Sequence, residues 1–185
     1  MGVDCRLFHK DSKDRFWDLM GAGSLIPLKQ YELFLETVKY LSQLFPYLKA
    51  VICGDGPERG FLQSKIEELQ IGKNIELMGQ VPHDKLISIM HQAKVFLHPS
   101  SYEGFSSACL EAISAGVHVI SFHKPMHKEI PNWHQVKTIT EMHNKAAELL
   151  QMDNLPSEKE IPFSMQNAVN EIMSLFSHHS FTDSI

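Results

Sequence analysis

Cysteine is scarce in this chain: three residues in 185, Cys5, Cys53 and Cys109, an odd count without metal-like spacing. That excludes a disulfide scaffold and a cysteine-based zinc site, and fits reduced thiols in a cytoplasmic protein, with Cys53 and Cys109 packed in the core. Long apolar runs are missing too. None reaches the roughly 18 residues a membrane span requires, and the N-terminus is not a signal peptide. Attachment of the whole protein to a membrane surface stays open. Positive charge is not in excess: a net charge of -5 offers no electrostatic case for nucleic acid, although an acidic protein can still hold a local basic pocket. There is no internal repeat, no low-complexity tract, no G-x-G-x-x-G and no Walker lysine. The carboxylate–histidine signature of zinc proteases is also absent. His118, His123, His127 and His134 lie close together, but Pro125 interrupts the helical face that His123 and His127 would share, so no metal is expected.

What is present is a globular composition, 43% hydrophobic and 21% charged. The length suits one well-buried domain and is too short for two full Rossmann domains. From Phe16 to Phe122 short apolar runs alternate with helical periodicity, the pattern of βαβ units and a parallel sheet covered on both faces. The predicted strands are Phe16–Leu25, Leu48–Cys53, Asn74–Met78, Val95–His98 and Val117–Phe122. Between them, Tyr31, Phe34, Val38, Leu41 and Phe45 stripe a helix stopped by Pro46, Phe61, Leu62, Ile66 and Leu69 stripe a second, and Leu86, Ile89, Met90 and Ala93 a third. Beyond Phe122 the pattern weakens. Thr138-x-x-Glu141 reads as a capping box before a helix to about Gln151, Asn154–Pro162 as a linker, and Ser164 to about Ser177 as a terminal amphipathic helix with a frayed polar tail.

Ligands of open α/β sheets gather outside the carboxyl ends of the strands. At those ends stand Gly23-Ser-Leu-Ile-Pro-Leu-Lys29, Gly54-Asp-Gly-Pro57, Gly79-Gln-Val-Pro82 and Pro99 to Ser107. Lys29 precedes a helix, where the dipole disfavours a cation; beside a diphosphate it would neutralise charge growing on a leaving group. A solvated surface lysine is the other reading. Glu103 and Glu111, with seven residues between them across a loop–helix junction, could share one concave site or be ordinary surface charges. Gly104 would let backbone approach a ligand, with the N–H groups of Phe105 and Ser106 available at the helix start; a turn requirement explains Gly104 equally well. Gly54-Asp-Gly-Pro57 reads as a strand-to-helix turn rather than a phosphate cradle.

The string Tyr102-Glu-Gly-Phe105, Leu110-Glu-Ala112, Gly116 and Val119-Ile120 resembles the signature of retaining group-1 glycosyltransferases, which have two Rossmann-like halves in the GT-B arrangement. Gly2-Val-Asp-x-x-x-Phe8 resembles that family's interdomain linker, and Gly23–Lys29, Gly54-Asp-Gly-Pro-Glu58 and Gly79-x-Val-Pro82 follow in its order. The resemblance implies an α/β fold, a Rossmann-like parallel sheet with helices on both faces, forming the C-terminal, donor-binding half of such an enzyme. It divides the chain into a linker remnant at 1–15, a nucleotide-sugar-binding domain at 16–153 and a tail at 154–185. It implies that Glu111 binds the ribose hydroxyls, that Glu103 lies by the donor sugar, that Lys29 contacts the diphosphate, and that backbone near Gln80 and Val81 meets the base. The reaction implied is sugar transfer from a nucleotide diphosphate sugar with retention and no essential metal, completed by an N-terminal acceptor-binding domain as partner. Two departures stand out: Ser24 occupies a position where the family often has arginine, and His123–Ile130 replaces a glycine-containing loop, with Glu129 keeping the acidic position. These favour the alternative of a non-catalytic nucleotide- or partner-binding module, which the intact Glu103, Glu111 and Lys29 oppose; a sugar-nucleotide epimerase of the same architecture is a third reading.

Overall fold

Short β-rich runs alternate with stripes of apolar residues at helical spacing, and the chain folds accordingly. The computed structural model describes residues 15–102, 106–123, 130–152 and 155. In chain order these form β1 (Trp17–Ala22), α1 (Tyr31–Leu44), β2 (Ala50–Cys53), α2 (Arg59–Glu68), β3 (Ile75–Gly79), α3 (His83–Met90), β4 (Ala93–His98), α4 (Ser107–Ser114), β5 (His118–Ser121), β6 (Trp133–Gln135) and α5 (Ile139–Leu150), with a 3-10 turn at Pro27–Lys29. The six strands form one sheet in the order β3-β2-β1-β4-β5-β6, every pair parallel.

Alternation along each strand divides the core in two. Leu19, Ala50, Ile52, Val95, Leu97 and Ile120 face α1, α2 and α5, and meet Phe34, Val38, Leu62 and Met142. Met20, Val51, Phe96 and Val119 face α3 and α4, and meet Met90, Cys109, Leu110 and Ile113. Burial on both faces explains why the strands read as continuous apolar runs. Phe34 and Phe96 are fully buried, one on each side, and each contributes roughly 1.5–3 kcal/mol by leaving water.

Several boundaries differ from expectation. β1 stops at Ala22 rather than Leu25, because beyond it Leu25 donates its N–H to Asp55 O at 3.0 Å and drops into the core instead of continuing along the sheet. Phe61 is not on the buried stripe of α2: it is 47% exposed, because the helix inserts only Leu62 and Ile66, and Phe61 lies about 100° round the axis from Leu62. A sixth strand, β6, follows where the pattern had faded. Trp133 is buried there and its indole N–H donates to Ser121 Oγ at 2.8 Å. The predicted cap forms in half: Thr138 Oγ1 accepts from Glu141 N at 3.2 Å, whereas the Glu141 carboxylate accepts from Lys137 N at 2.8 Å, one residue before the N-cap, instead of from Thr138 N. The motif at 2–8 and the helix predicted for 164–177 lie outside the described residues.

Candidate functional site

The strand order reverses direction between β1 and β4, so a crevice opens at their carboxyl ends, bounded by the loops that follow them. Hydrogen bonds tie these loops to their neighbours. Gly23 N donates to Cys53 O at 3.0 Å, Gly54 N to Gly79 O at 2.8 Å, and Glu58 N to Leu25 O at 3.0 Å. On the other side Ser101 N donates to Leu28 O at 3.0 Å, and His123 Nε2 lies 2.7 Å from Ser101 O. The loops after β1, β2, β3, β4 and β5 therefore form one connected rim.

Gly54 and Gly56 are what allow the loops to close up. A Cβ on Gly54 would stand 1.8 Å from Gly23 O, and one on Gly56 2.5 Å from Leu25 O. Gly54 also has φ +148. This segment is a strand-to-helix turn packed against the loop after β1, as its spacing suggested.

Beside it lies a cavity of about 280 Å³ lined by Gly23, Ser24, Cys53, Gly54, Asp55, Gln80, Val81 and Leu86. Three predicted site residues, Ser24, Gln80 and Val81, thus meet around one space, although they come from loops after different strands. The volume stands at the lower end of the roughly 300–1,000 Å³ usual for small-molecule sites. Asp55 is the one carboxylate in the lining, its Oδ1 accepting from Gly56 N at 2.8 Å, and no lysine or arginine lines the space itself, although Lys85 is near enough for its charge to act on Cys53. Cys53 adds no charge at neutral pH, because burial, then the charge of Glu76, push its thiol up to about 11.

The other predicted residues stand around this cavity rather than in its lining. Lys29 ends the 3-10 turn, half-buried, with Cε 3.8 Å from where a Cβ on Gly23, a lining residue of the cavity, would be. Ser106 is buried and its hydroxyl caps α4, accepting from Cys109 N at 3.4 Å. Glu111, on the next turn of α4, approaches His83 at the start of α3, with Oε1 3.1 Å from Nε2. Glu103, Gly104 and Phe105 lie outside the described residues, as does Glu129.

Sequence reasoning missed His83, Asp55, Cys53 and Leu86 as neighbours of the site. His83 follows Gly79-Gln-Val-Pro82 directly, and that adjacency was its one signal. The histidines are dispersed: His118 and His134 stack at 5.3 Å with ring nitrogens 3.0 Å apart, while His123 serves the rim. Among the described residues no group of three or more histidine, cysteine, aspartate or glutamate side chains is arranged to hold a metal.

The fold and its rim define a doubly wound α/β domain of the kind that forms one half of a GT-B enzyme. The chain belongs to the glycosyl transferases group 1 family, whose model matches residues 8–168. It is 32% identical over 112 residues to the phosphatidylinositol N-acetylglucosaminyltransferase gpi3 subunit of Schizosaccharomyces pombe, a match covering 60% of this chain and 24% of that protein. It spans about a quarter of the length of the curated relatives it matches. Among solved structures, the pneumococcal O-GlcNAc transferase GtfA in complex with UDP and GlcNAc superposes with TM-score 0.79 at 22% identity, over 92% of this chain and 37% of GtfA. The C-terminal domain of the group 1 protein LpcC from Francisella tularensis gives TM-score 0.72 at 20% identity, over 92% of this chain and 98% of that one.

Proposed function

We propose that this chain is the donor-binding half of a retaining glycosyltransferase, and that its donor is UDP-N-acetylglucosamine. The observation that carries the reading is the convergence of Ser24, Gln80 and Val81 on one cavity at the carboxyl rim, beside the turn that bears Lys29, in a chain of this family. The choice of donor rests on the names of the relatives, an N-acetylglucosaminyltransferase subunit among them, and on the UDP and GlcNAc bound by GtfA.

The base enters the cavity between the loops after β2 and β3, where Gln80 offers backbone groups and Val81 and Leu86 an apolar wall. Asp55 keeps the phosphates out. The diphosphate lies toward the β1–β4 crevice, where Lys29 neutralises the charge that grows as the sugar leaves. Glu111 accepts from the ribose hydroxyls and Glu103 stands by the sugar. The acceptor is held by a separate N-terminal half, transfer needs no metal, and the buried thiols suit a reaction in the cytoplasm.

Calorimetric or NMR titration of the chain with UDP-N-acetylglucosamine, UDP-glucose and GDP-mannose tests this. A response to the first at or below millimolar concentration, stronger than to the others, is expected. No response to any UDP sugar would remove the donor-binding reading, and an inverted anomer from the chain combined with its acceptor-binding half would remove retention.

A further inference from the structure

We propose that His83 is a positioning residue that fixes the Glu111 carboxylate for the nucleotide ribose and so sets the preference for ribose over deoxyribose. The inference rests on the donor-binding reading above and goes one step past it, to a side chain on a different element.

The geometry is specific. Glu111 lies on α4 with its side chain 19% exposed, so it is largely enclosed. His83 is the first residue of α3, 57% exposed, with Nε2 3.1 Å from Glu111 Oε1. An ionised carboxylate can only accept, so His83 must carry its hydrogen on Nε2, and the bond occupies Oε1. Oε2 is left to receive a ligand hydroxyl. Among the described residues His83 is the hydrogen-bond and ion-pair partner of the Glu111 carboxylate.

The bond also links two walls of the site. His83 and Leu86 are three residues apart and share a face of α3, and Leu86 lines the cavity. The segment Gln80–Val81 that supplies two more lining residues runs directly into His83. The carboxylate on α4 is therefore held in register with the loop that receives the base. A flexible glutamate without this partner would sample several rotamers and lose discrimination at a single hydroxyl.

Calorimetric titration of the 185-residue chain with UDP and with 2′-deoxy-UDP reads the effect. Wild type is expected to prefer UDP by about tenfold, the scale of one hydrogen bond to a charged group. His83→Ala should shrink that preference to about threefold or less, with an unchanged melting temperature because His83 is largely exposed. His83→Gln, whose amide can donate to Oε1, should restore most of it, which a purely structural role would not predict. An unchanged UDP preference in His83→Ala overturns the assignment. Equal binding of the two ligands by wild type overturns it as well, while leaving nucleotide binding intact; binding of neither overturns both this inference and the donor-binding reading.

Discussion

Replacing Gly54 by alanine probes the rim where it has least room to yield. The added Cβ would meet Gly23 O at 1.8 Å and Gly23 C at 2.8 Å, both backbone atoms of a loop that is itself hydrogen-bonded to Cys53. The residue also holds φ +148, which L side chains adopt only under strain. Backbone strain of roughly 1–3 kcal/mol and overpacking of a similar size together cost about 2–6 kcal/mol. For a chain of this length that corresponds to a fall in melting temperature of about 4 °C at the least. Because relief of the clash moves Gly23 and Ser24, a wall of the cavity, affinity for UDP should fall with it. Gly60→Ala is the matched control: a Cβ there meets nothing within 4 Å, and the site is exposed in α2, so alanine should stabilise by about 0.5–1 kcal/mol. Differential scanning fluorimetry and UDP titration on the two variants give opposite signs if the loops are packed as described. A Gly54→Ala protein that melts within about 1 °C of wild type and binds UDP equally would refute the argument.

Lys29→Ala should lower transfer by the chain combined with its acceptor-binding half by about 10²–10³-fold, the usual scale for losing one electrostatic contact to a developing charge, with little change in melting temperature; equal turnover would remove Lys29 from the reaction. Cys53 binds its proton more tightly when folded, so its contribution to stability is fully present below pH 9.0 and is lost as pH rises toward 11. Urea midpoints over that window should fall more steeply for wild type than for Cys53→Ala, by a difference on the order of 2 kcal/mol, and parallel curves would argue against it. His143, stacked on Tyr40 with its pKa lowered by burial, works in the acid range. It charges more readily unfolded than folded, so stability present above pH 6.5 is lost as pH falls through that value and on through the lower folded one. Its replacement by phenylalanine should flatten the midpoint profile between pH 7 and 5, and an unchanged slope would count against the buried neutral ring.

Both the fold and the family were legible in the sequence, for physical reasons that differ. Strands buried on both faces, such as Ala50–Cys53 and Ala93–His98, announce themselves as unbroken apolar runs, and α1 by the spacing of Phe34, Val38 and Leu41. β6 escaped because three residues, of which Trp133 alone is buried, carry no period. Phe61 misled because its neighbour Leu62, not Phe61 itself, faces the sheet. At the site, Ser24, Gln80 and Val81 could be placed near one another by topology, since each follows a strand at the same edge. His83 could not: its partner Glu111 lies 28 residues away on another helix, and no periodicity links α3 to α4. Ser106 shows a further limit, because a hydroxyl at a helix start reads alike whether it caps the helix or meets a ligand.

The distribution of charge along the rim decides how a donor would lie. On the β2–β3 side the cavity holds the charge of Asp55, which would oppose a diphosphate, and the Cys53 thiol, which burial keeps neutral and which adds no charge of its own. On the β1–β4 side the turn carrying Lys29 is hydrogen-bonded through Leu28 to Ser101, just before the loop that bears Glu103. If the proposed donor site holds, a nucleotide laid across the two would point its base toward Gln80 and Val81 and its phosphates toward Lys29. Reversing it would bring two phosphate charges against Asp55. On the proposed reading, and with Ser24 contributing no cation, that direction rests on Lys29 among the loop residues Gly23–Lys29: the lysine would attract the diphosphate, and the aspartate on the neighbouring loop would deny it the wrong end of the site.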